Sequence, residues 1–421
     1  MKHKWHEGNS VDLLINGDEF YARVFERARN AQEEIIIETF ILEQDKVGEE
    51  LQRVVIEAAK RGVRVHLTVD DYGTWDLDTE FVERMTSAGV QLHIFDPQPK
   101  LWGVRLNMFR RLHRKIAIID KKIAFIGGIN YCADHMTDFG EKAKQDYAVE
   151  LKGPIVAEIH KSSMLLLLRG SPRKERKKYL HDLKTPEIQP EGNSEILFVE
   201  RDNRWHRKDI EKQYLLAIRL AKKRILIANA YFFPRLFFLR ALRKAAQRGV
   251  EVVLVMQGQP DMPWVSMLSR LLYNYLLRAE VKIYEYCQRS FHGKIAIVDD
   301  EWITIGSSNL DPLSFSLNLE ANVFIRDREL NEKLYSHIQD LITNHCKVID
   351  MDLAKHGYWW RVPLIFLSFY FLRHFPSIVG WLPAHAPVLK LIQPQKWRNK
   401  KQTNTDHTKP LVETYDKETT S

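Results

Sequence analysis

Apolar residues along this chain gather in short dense runs separated by amphipathic stretches. Glu34-Ile-Ile-Ile-Glu-Thr-Phe40, Val63-Arg-Val-His-Leu-Thr-Val69 and Val90-Gln-Leu-His-Ile-Phe95 have the length and β-branched content of buried strands. Between the first two, an amphipathic helix runs into Ala58-Ala-Lys-Arg-Gly62, and a glycine there suits a left-handed helix C-cap. The same succession returns later. Arg224-Ile-Leu-Ile-Ala-Asn-Ala230 matches the first run, and Ala245-Ala-Gln-Arg-Gly249 matches the helix end. Val250-Glu-Val-Val-Leu-Val-Met256 and Val281-Lys-Ile-Tyr-Glu-Tyr286 match the strands that follow. Strands alternating with helices predict an α/β layered fold, and the repeat distance of about 180 to 190 residues marks an internal duplication rather than a solenoid. Two homologous halves packed against each other are therefore expected.

The pattern also sets boundaries. Residues 1–169 form the first half and 194–349 the second. The stretch 170–193 is basic and carries turn residues and prolines, so it reads as an exposed connector. Residues 350–395 are aromatic and apolar around Tyr358-Trp-Trp360 and Phe375 to Leu382, with Arg361, Arg373 and Lys390 on their flanks. The remainder, 396–421, is polar and is expected to be disordered.

Composition narrows the class. The chain has 421 residues, 45% hydrophobic and 28% charged, which suits a globular protein with a substantial core. Its net charge of +8 favours a polyanionic partner, whether nucleic acid, anionic membrane or phosphorylated substrate. Three cysteines, Cys132, Cys287 and Cys346, lack metal-ligand spacing and argue against a disulfide framework or a structural zinc site. The first nine residues contain no apolar signal-peptide core, and no apolar run reaches the length of a membrane-spanning helix.

Candidate chemistry occurs once in each half. His113-Arg-Lys115-Ile-Ala-Ile-Ile-Asp120 is followed by Gly127-Gly128-Ile-Asn130, and His292-Gly-Lys294-Ile-Ala-Ile-Val-Asp299 by Gly306-Ser307-Ser308-Asn309. Both obey H-x-K-x4-D-x6-G-x2-N. One such match is expected by chance in about one chain in ten thousand of this length, and two in register within a repeat are far rarer. Residues i and i+2 of a strand share a face, so each histidine points with its lysine. Asp120 and Asp299 fall near the strand ends, where they could order the following turn or hold a lysine, and are grouped with the catalytic candidates. Glycine-rich turns allow backbone amides to approach a phosphate, which makes Gly127, Gly128, Gly306, Ser307 and Ser308 phosphate-binding candidates. Asn130 and Asn309 add side-chain donors.

The doubled pattern resembles the HKD motif of the phospholipase D superfamily, over roughly residues 10 to 350. Phe125-Ile-Gly-Gly-Ile-Asn130, Lys144-Gln-Asp-Tyr147, Ala228-Asn-Ala-Tyr-Phe-Phe-Pro234, Gly306-Ser-Ser-Asn-Leu-Asp-Pro-Leu313 and Leu317-Asn-Leu-Glu-Ala-Asn322 are similar to its bacterial cardiolipin synthase branch. Gly128, where the second copy has Ser307, is the one local departure. The resemblance implies two α/β/α halves packed pseudo-symmetrically around one active site. It also implies that one of His113 and His292 attacks phosphorus while the other protonates the leaving alcohol, with Lys115, Lys294, Asn130 and Asn309 around the nonbridging oxygens. Asp146 and Glu320, downstream of their motifs, match the family's acidic positions and are expected to orient the histidines. Two lysines can supply the charge that a metal ion supplies elsewhere, so neither metal nor cofactor is expected.

Implied substrates are two phosphatidylglycerol molecules, giving cardiolipin and glycerol. The implied partner is an anionic phospholipid at a membrane surface, with no nucleic acid and no oligomer required. The implied location is peripheral, on the cytoplasmic side of a bacterial inner membrane, where the aromatic segment 350–395 would lie in the interface. Hydrolysis by water or transfer to another alcohol would use the same site residues. A nuclease would use the positive charge for a phosphate backbone, but no nucleic-acid module is recognisable. A catalytically silent lipid scaffold would have no need of two intact motifs.

Overall fold

Each half contains three parallel strands, and each of these comes from one of the dense apolar runs. The computed structural model describes residues 3–392 except 75, 98–99, 102–103, 106–110, 171, 173, 175–176, 179–187, 260–269, 271, 312–313, 315–316 and 351–388. In the first half β1 (His6–Ile15) leads into α1 (Asn16–Arg29). Then β2 (Glu34–Thr39), α2 (Lys46–Lys60), β3 (Arg64–Asp70), α3 (Thr79–Ser87) and β4 (Gln91–Phe95) alternate, with β2, β3 and β4 parallel. β5 (Ile116–Ile119), β6 (Ile123–Gly127), β7 (Tyr147–Lys152) and α4 (Ile155–Leu167) complete the unit. Asp45 caps α2 by accepting from the Val47 and Gly48 amides. The helix terminates at the expected left-handed glycine, Gly62 with φ +92°, and Gly249 does the same in the second half with φ +86°.

The second half repeats the order. It comprises β8 (Ser194–Arg201), α5 (Asp209–Leu220), β9 (Arg224–Asn229), α6 (Leu236–Gln247), β10 (Glu251–Gln257), α7 (Tyr273–Leu277) and β11 (Lys282–Tyr286). β12 (Lys294–Val298), β13 (Trp302–Gly306), β14 (Glu320–Arg326), α8 (Arg328–His345) and β15 (Cys346–Ile349) follow. A last strand, β16 (Leu389–Leu391), returns to the edge of the first half and pairs antiparallel with β4.

Among the described residues, sixteen strands share one sheet in the order β15-β11-β10-β9-β12-β13-β14-β8-β1-β7-β6-β5-β2-β3-β4-β16. Read outward from β8 and β1, the two sides show equivalent strands. The halves thus join edge to edge through β1 and β8, whose pairing shifts register between His6 and Asn9. One face of the first half packs on α1, α2 and α3 around Val24, Leu51 and Phe81, and one face of the second on α5, α6 and α7 around Tyr214, Leu242 and Leu276. The remaining faces share a third core with α4 and α8. Ile36, Ile118 and Val149 of the first half lie there with Ile297, Ile303 and Val323 of the second. Burial on both faces explains why β2 reads as an unbroken apolar run and not an alternating one.

Most of the connector 170–193, nearly all of the aromatic segment 350–395 and the whole tail 396–421 lie outside the described residues. Lys390, read from sequence as a flank of a membrane segment, sits in the edge strand β16, opposite Ile94.

Candidate active site

Each histidine stands just ahead of a central strand of its own half, His113 before β5 and His292 before β12. Lys115 immediately precedes β5, and Lys294 opens β12. Each histidine-bearing segment leaves its own half and pairs with the other. Leu112 forms a parallel bridge to Leu319, and the His113 amide donates to the Leu319 carbonyl at 2.9 Å. Ser290 and Phe291 pair in parallel with Lys144 and Gln145, and the His292 amide donates to the Gln145 carbonyl at 2.8 Å. Asp70, buried at the end of β3, accepts the Leu112 amide at 2.7 Å and so fixes the approach to His113. Burial pushes the Asp70 carboxyl up to about 6.

Side chains cross in the same way. His113 Nδ1 lies 2.9 Å from Glu320 Oε2, and His292 Nδ1 lies 2.6 Å from Asp146 Oδ2. The structure therefore brings both histidine-orienting candidates to the histidines, each to the histidine of the opposite half. A carboxylate accepting from Nδ1–H leaves Nε2 with the lone pair, the atom needed for attack or for proton transfer.

The exchange of Gly128 for Ser307 between the two motifs has a steric cause. Ser307 Oγ donates to Glu320 Oε2 at 2.5 Å, and Asn318 Nδ2 donates to Glu320 Oε1 at 3.4 Å. At the equivalent place in the first half, a Cβ on Gly128 would overlap the Asp146 carboxylate. The longer acid goes with serine and the shorter acid with glycine.

Lys115 and Lys294 are buried, with 3% and 1% of their surface exposed. Each ammonium donates to the carbonyl of its own histidine, Lys115 to His113 at 2.9 Å and Lys294 to His292. Burial pushes Lys115 down to about 7; Glu320 opposes the fall and Lys294 adds to it. Asn130 is also buried. Its Oδ1 accepts the Ile41 amide at 3.2 Å, which leaves its NH2 to donate elsewhere. Asn309 is buried with no partner for its Oδ1 among the described residues.

Two expectations are corrected. The glycine-rich turns do not offer the backbone amides expected of them. Gly127 donates to the Lys115 carbonyl, Gly128 to the Tyr147 carbonyl, Ser307 to the Ala321 carbonyl, and Ser308 to Asn322 Oδ1. Glycine is required there for close packing instead: a Cβ on Gly306 would overlap the Asn322 side chain, just as one on Gly128 would overlap Asp146. Asp120 and Asp299 do not join the catalytic group either. Each lies five residues beyond its lysine along a strand, roughly 16 Å away at a strand's rise. Asp120 accepts the amides of Gln32, Glu33 and Glu34, and Asp299 those of Lys222, Lys223 and Arg224. Both brace the start of the adjacent antiparallel strand, β2 or β9.

His135 escapes the sequence pattern. It is fully buried, and its ring meets that of His292 edge-on at 5.4 Å. Its Nε2 accepts the Asn130 amide at 3.4 Å, so Nδ1 carries the proton and faces Asp146 Oδ2 at 3.7 Å. The repeat hides it, because the second copy has Ser314 at that position. The two histidine–carboxylate pairs are unequal in their electrostatics. Burial lowers His113, but Glu320 counters it, and Glu320 itself ends below the ordinary carboxyl value despite its own burial, chiefly through His113 and Lys115. His292 is held well below the usual range by burial and by Lys294 and Lys144, while burial raises Asp146. Burial thus pushes both histidines toward the neutral imidazole, while the two carboxyls move in opposite directions, Glu320 down and Asp146 up. Among the described residues, His135, Asp146 and His292 also place three donor atoms close enough together to hold a metal ion, and His3, His206 and Asp209 form another such group.

Two Nε2 atoms, two buried ammonium groups and an amide NH2 are the parts needed for displacement at a phosphodiester: nucleophile, acid and charge stabilisation. Fold and site together define a two-histidine phosphodiester-transfer enzyme of the duplicated phospholipase D type. The profile described as "Cardiolipin synthase, PLD-like domain" matches residues 24–162 and 214–342, one segment per half. The chain belongs to this family. It is 51% identical over 394 residues to cardiolipin synthase B of Salmonella typhi, covering 94% of this chain and 95% of that one. It is 49% identical, with the same coverage, to cardiolipin synthase B of Escherichia coli strain K12. To the cardiolipin synthase of Geobacillus kaustophilus it is 32% identical, covering 81% of this chain and 67% of that one. The crystal structure of phosphatidylserine synthase from Haemophilus influenzae superposes with a TM-score of 0.64 at 15% identity, over 88% of this chain and 94% of that one, and so shares the fold.

Proposed function

We propose that this protein is a cardiolipin synthase that transfers a phosphatidyl group from one phosphatidylglycerol to another and releases glycerol. The observation that carries this reading is the crossed pair of histidine–carboxylate contacts beside two buried lysines. The kinship with cardiolipin synthases over 94% of the chain supports the choice of substrate. One histidine attacks phosphorus through Nε2. The bond from phosphorus to the glycerol oxygen breaks, and the other histidine gives that oxygen its proton. The resulting phosphatidyl-histidine is attacked by a hydroxyl of the second phosphatidylglycerol, the phosphorus–nitrogen bond breaks, and the proton returns to the second histidine. Lys115, Lys294 and the Asn130 NH2 stabilise charge on the nonbridging oxygens. Both the bond broken and the bond made are phosphodiesters, so no nucleotide is consumed.

The two halves, 1–169 and 194–349, act as one catalytic unit joined by 170–193. The aromatic stretch within 350–395 holds the enzyme peripherally at an anionic membrane, on its cytoplasmic side, and 396–421 is a polar tail. The substrate is phospholipid and not nucleic acid, and one chain suffices.

The decisive experiment incubates purified protein with phosphatidylglycerol vesicles in EDTA, beside His113→Ala and His292→Ala, and resolves the lipids by mass spectrometry. Cardiolipin and free glycerol, absent from both variants, are the expected outcome. Phosphatidic acid as the sole product would make water the acceptor and overturn the synthase. Trapping phosphohistidine in each single variant identifies the attacking residue.

A further inference from the structure

Among the described residues, the aromatic side chains exposed by more than two fifths are Tyr72 at 48%, Phe139 at 47%, Trp205 at 84% and Phe237 at 42%. All four follow strand ends that lie on the histidine side of their own half. Tyr72 follows β3, Phe139 lies between β6 and β7, Trp205 follows β8, and Phe237 follows β9. Tyr72 stacks on Phe40, whose ring lies 5.3 Å from that of His113. The flanks of the site differ in charge. Around Tyr72 and Phe139 charges are mixed: Arg111 lies over the Tyr72 ring at 4.0 Å, Lys46 pairs with Asp138, Lys142 adjoins Glu141, and a cavity of about 340 Å3 is lined by Glu43, Asp45 and Asp76. Around Trp205 the surface is basic: Arg204, Arg207 and Lys208 are all exposed.

The turn that carries Trp205 is built, not loose. Asp202 Oδ1 accepts the amides of Arg204, Trp205 and His206 at 2.7 to 2.9 Å, and Arg207 Nε donates to the Asn203 carbonyl at 3.0 Å. Its far end is pinned by Asp209, which faces His206 at 2.8 Å and His3 at 3.0 Å. Its near end is Arg201, which donates to the carbonyl of Asn318, two residues before the Glu320 that holds His113. An indole is thus held out to solvent on a hydrogen-bonded basic turn whose first residue reaches the segment before Glu320, although burying it would have been favourable.

We infer that the turn Asp202–Lys208 is a membrane-docking element, with Trp205 entering the headgroup layer of an anionic bilayer and Arg204, Arg207 and Lys208 meeting lipid phosphates. Tryptophan prefers the bilayer interface, and flanking arginines add attraction that depends on anionic lipid. Charge complementarity to Arg204, Arg207 and Lys208 selects an anionic lipid surface. The turn then delivers lipid headgroups beside Glu320 and His113. This inference rests on the lipid reading of the active site.

The test measures binding of the full chain to phosphatidylcholine vesicles with and without phosphatidylglycerol, by flotation. Turnover of a short-chain phosphatidylglycerol below its micelle concentration is measured in parallel. Trp205→Ala should weaken binding to the anionic vesicles by about tenfold, and Trp205→Phe should restore most of it. Arg204→Gln with Arg207→Gln should weaken it by about fivefold per arginine and leave the weak binding to neutral vesicles unchanged. All should turn over the monomeric lipid at the parental rate. Undiminished binding by Trp205→Ala, or an equal loss on monomeric lipid, would overturn the docking role. So would loss of single-stranded oligonucleotide binding in place of vesicle binding. A parental protein that binds these vesicles through the turn but transforms no lipid would sink the proposed reaction and leave the docking intact.

Discussion

Lys115 is a cation held in a dry place. Its ammonium titrates near 7 in the folded protein, against 10.5 for the ordinary side chain. Between those values the unfolded chain binds a proton that the folded chain does not, so stability rises with pH across that window and the penalty is complete below it. Each tenfold loss of proton affinity is worth about 1.4 kcal/mol, so Lys115→Met should stabilise the fold by a few kcal/mol at pH 6 and by much less near pH 10. Denaturant midpoints at the two pH values check this, and equal midpoints for variant and parent at pH 6 would count against it. The variant should have lost transfer. In the parent, kcat/KM should fall as pH rises through about 7, because the free enzyme then loses the Lys115 charge. A second residue-scale prediction concerns Gly128. Gly128→Ser forces a side chain onto the Asp146 carboxylate and should lower kcat at least tenfold by displacing the partner of His292. Ser307→Gly removes one hydrogen bond to Glu320, about 1 kcal/mol, and should cost far less activity. Steady-state kinetics on both variants separates the two, and a Gly128→Ser enzyme with parental kcat would refute the steric account.

At the scale of the element, the repeated spacing from lysine to aspartate measures a strand. Lys115 to Asp120 and Lys294 to Asp299 each span one strand, with chemistry at one end and a brace at the other. A spacing fixed by strand length looks the same in sequence as one fixed by catalysis, which is why the motif alone groups the aspartates with the histidines. Asp120→Ala and Asp299→Ala should each lower stability by about 1 to 3 kcal/mol through unpaired strand-start amides, and leave kcat within about twofold while the protein is folded. Thermal melts beside turnover rates decide it; a hundredfold loss of kcat with an unchanged melt would return them to the catalytic group. Strands and helix ends are legible in the sequence because their signals are local. Double-faced burial makes a dense apolar run, and Gly62 and Gly249 mark positive φ. The inward-turned amides of Gly127, Gly128, Ser307 and Ser308 are not legible, since their acceptors lie on other strands or beyond the turn. Nor is β16, whose three residues are too few to show a period.

For the whole molecule, the repeat announces the pseudo-symmetry, and the single continuous sheet carries it through β1 and β8. What sequence order conceals is the exchange of partners: each acid follows the histidine of its own half, yet serves the histidine of the other. Glu320→Gln, a change in the second half, should lower the pKa of His113 in the first, because Glu320 raises it; the titration of His292 should move less. Histidine-labelled NMR titration reads both rings, and a response confined to His292 would break the crossed assignment.

That exchange also governs when, during its own synthesis, the enzyme can first act. His113 precedes its carboxylate by 207 residues, and Asp146 precedes its histidine by 146. A chain still on the ribosome has neither pair until His292 has emerged, and lacks the carboxylate of His113 until the strand that begins at Glu320 has followed. A truncated product ending before His292 owns a whole motif but neither of the two pairs, so emergence of the second half is the step that assembles the site.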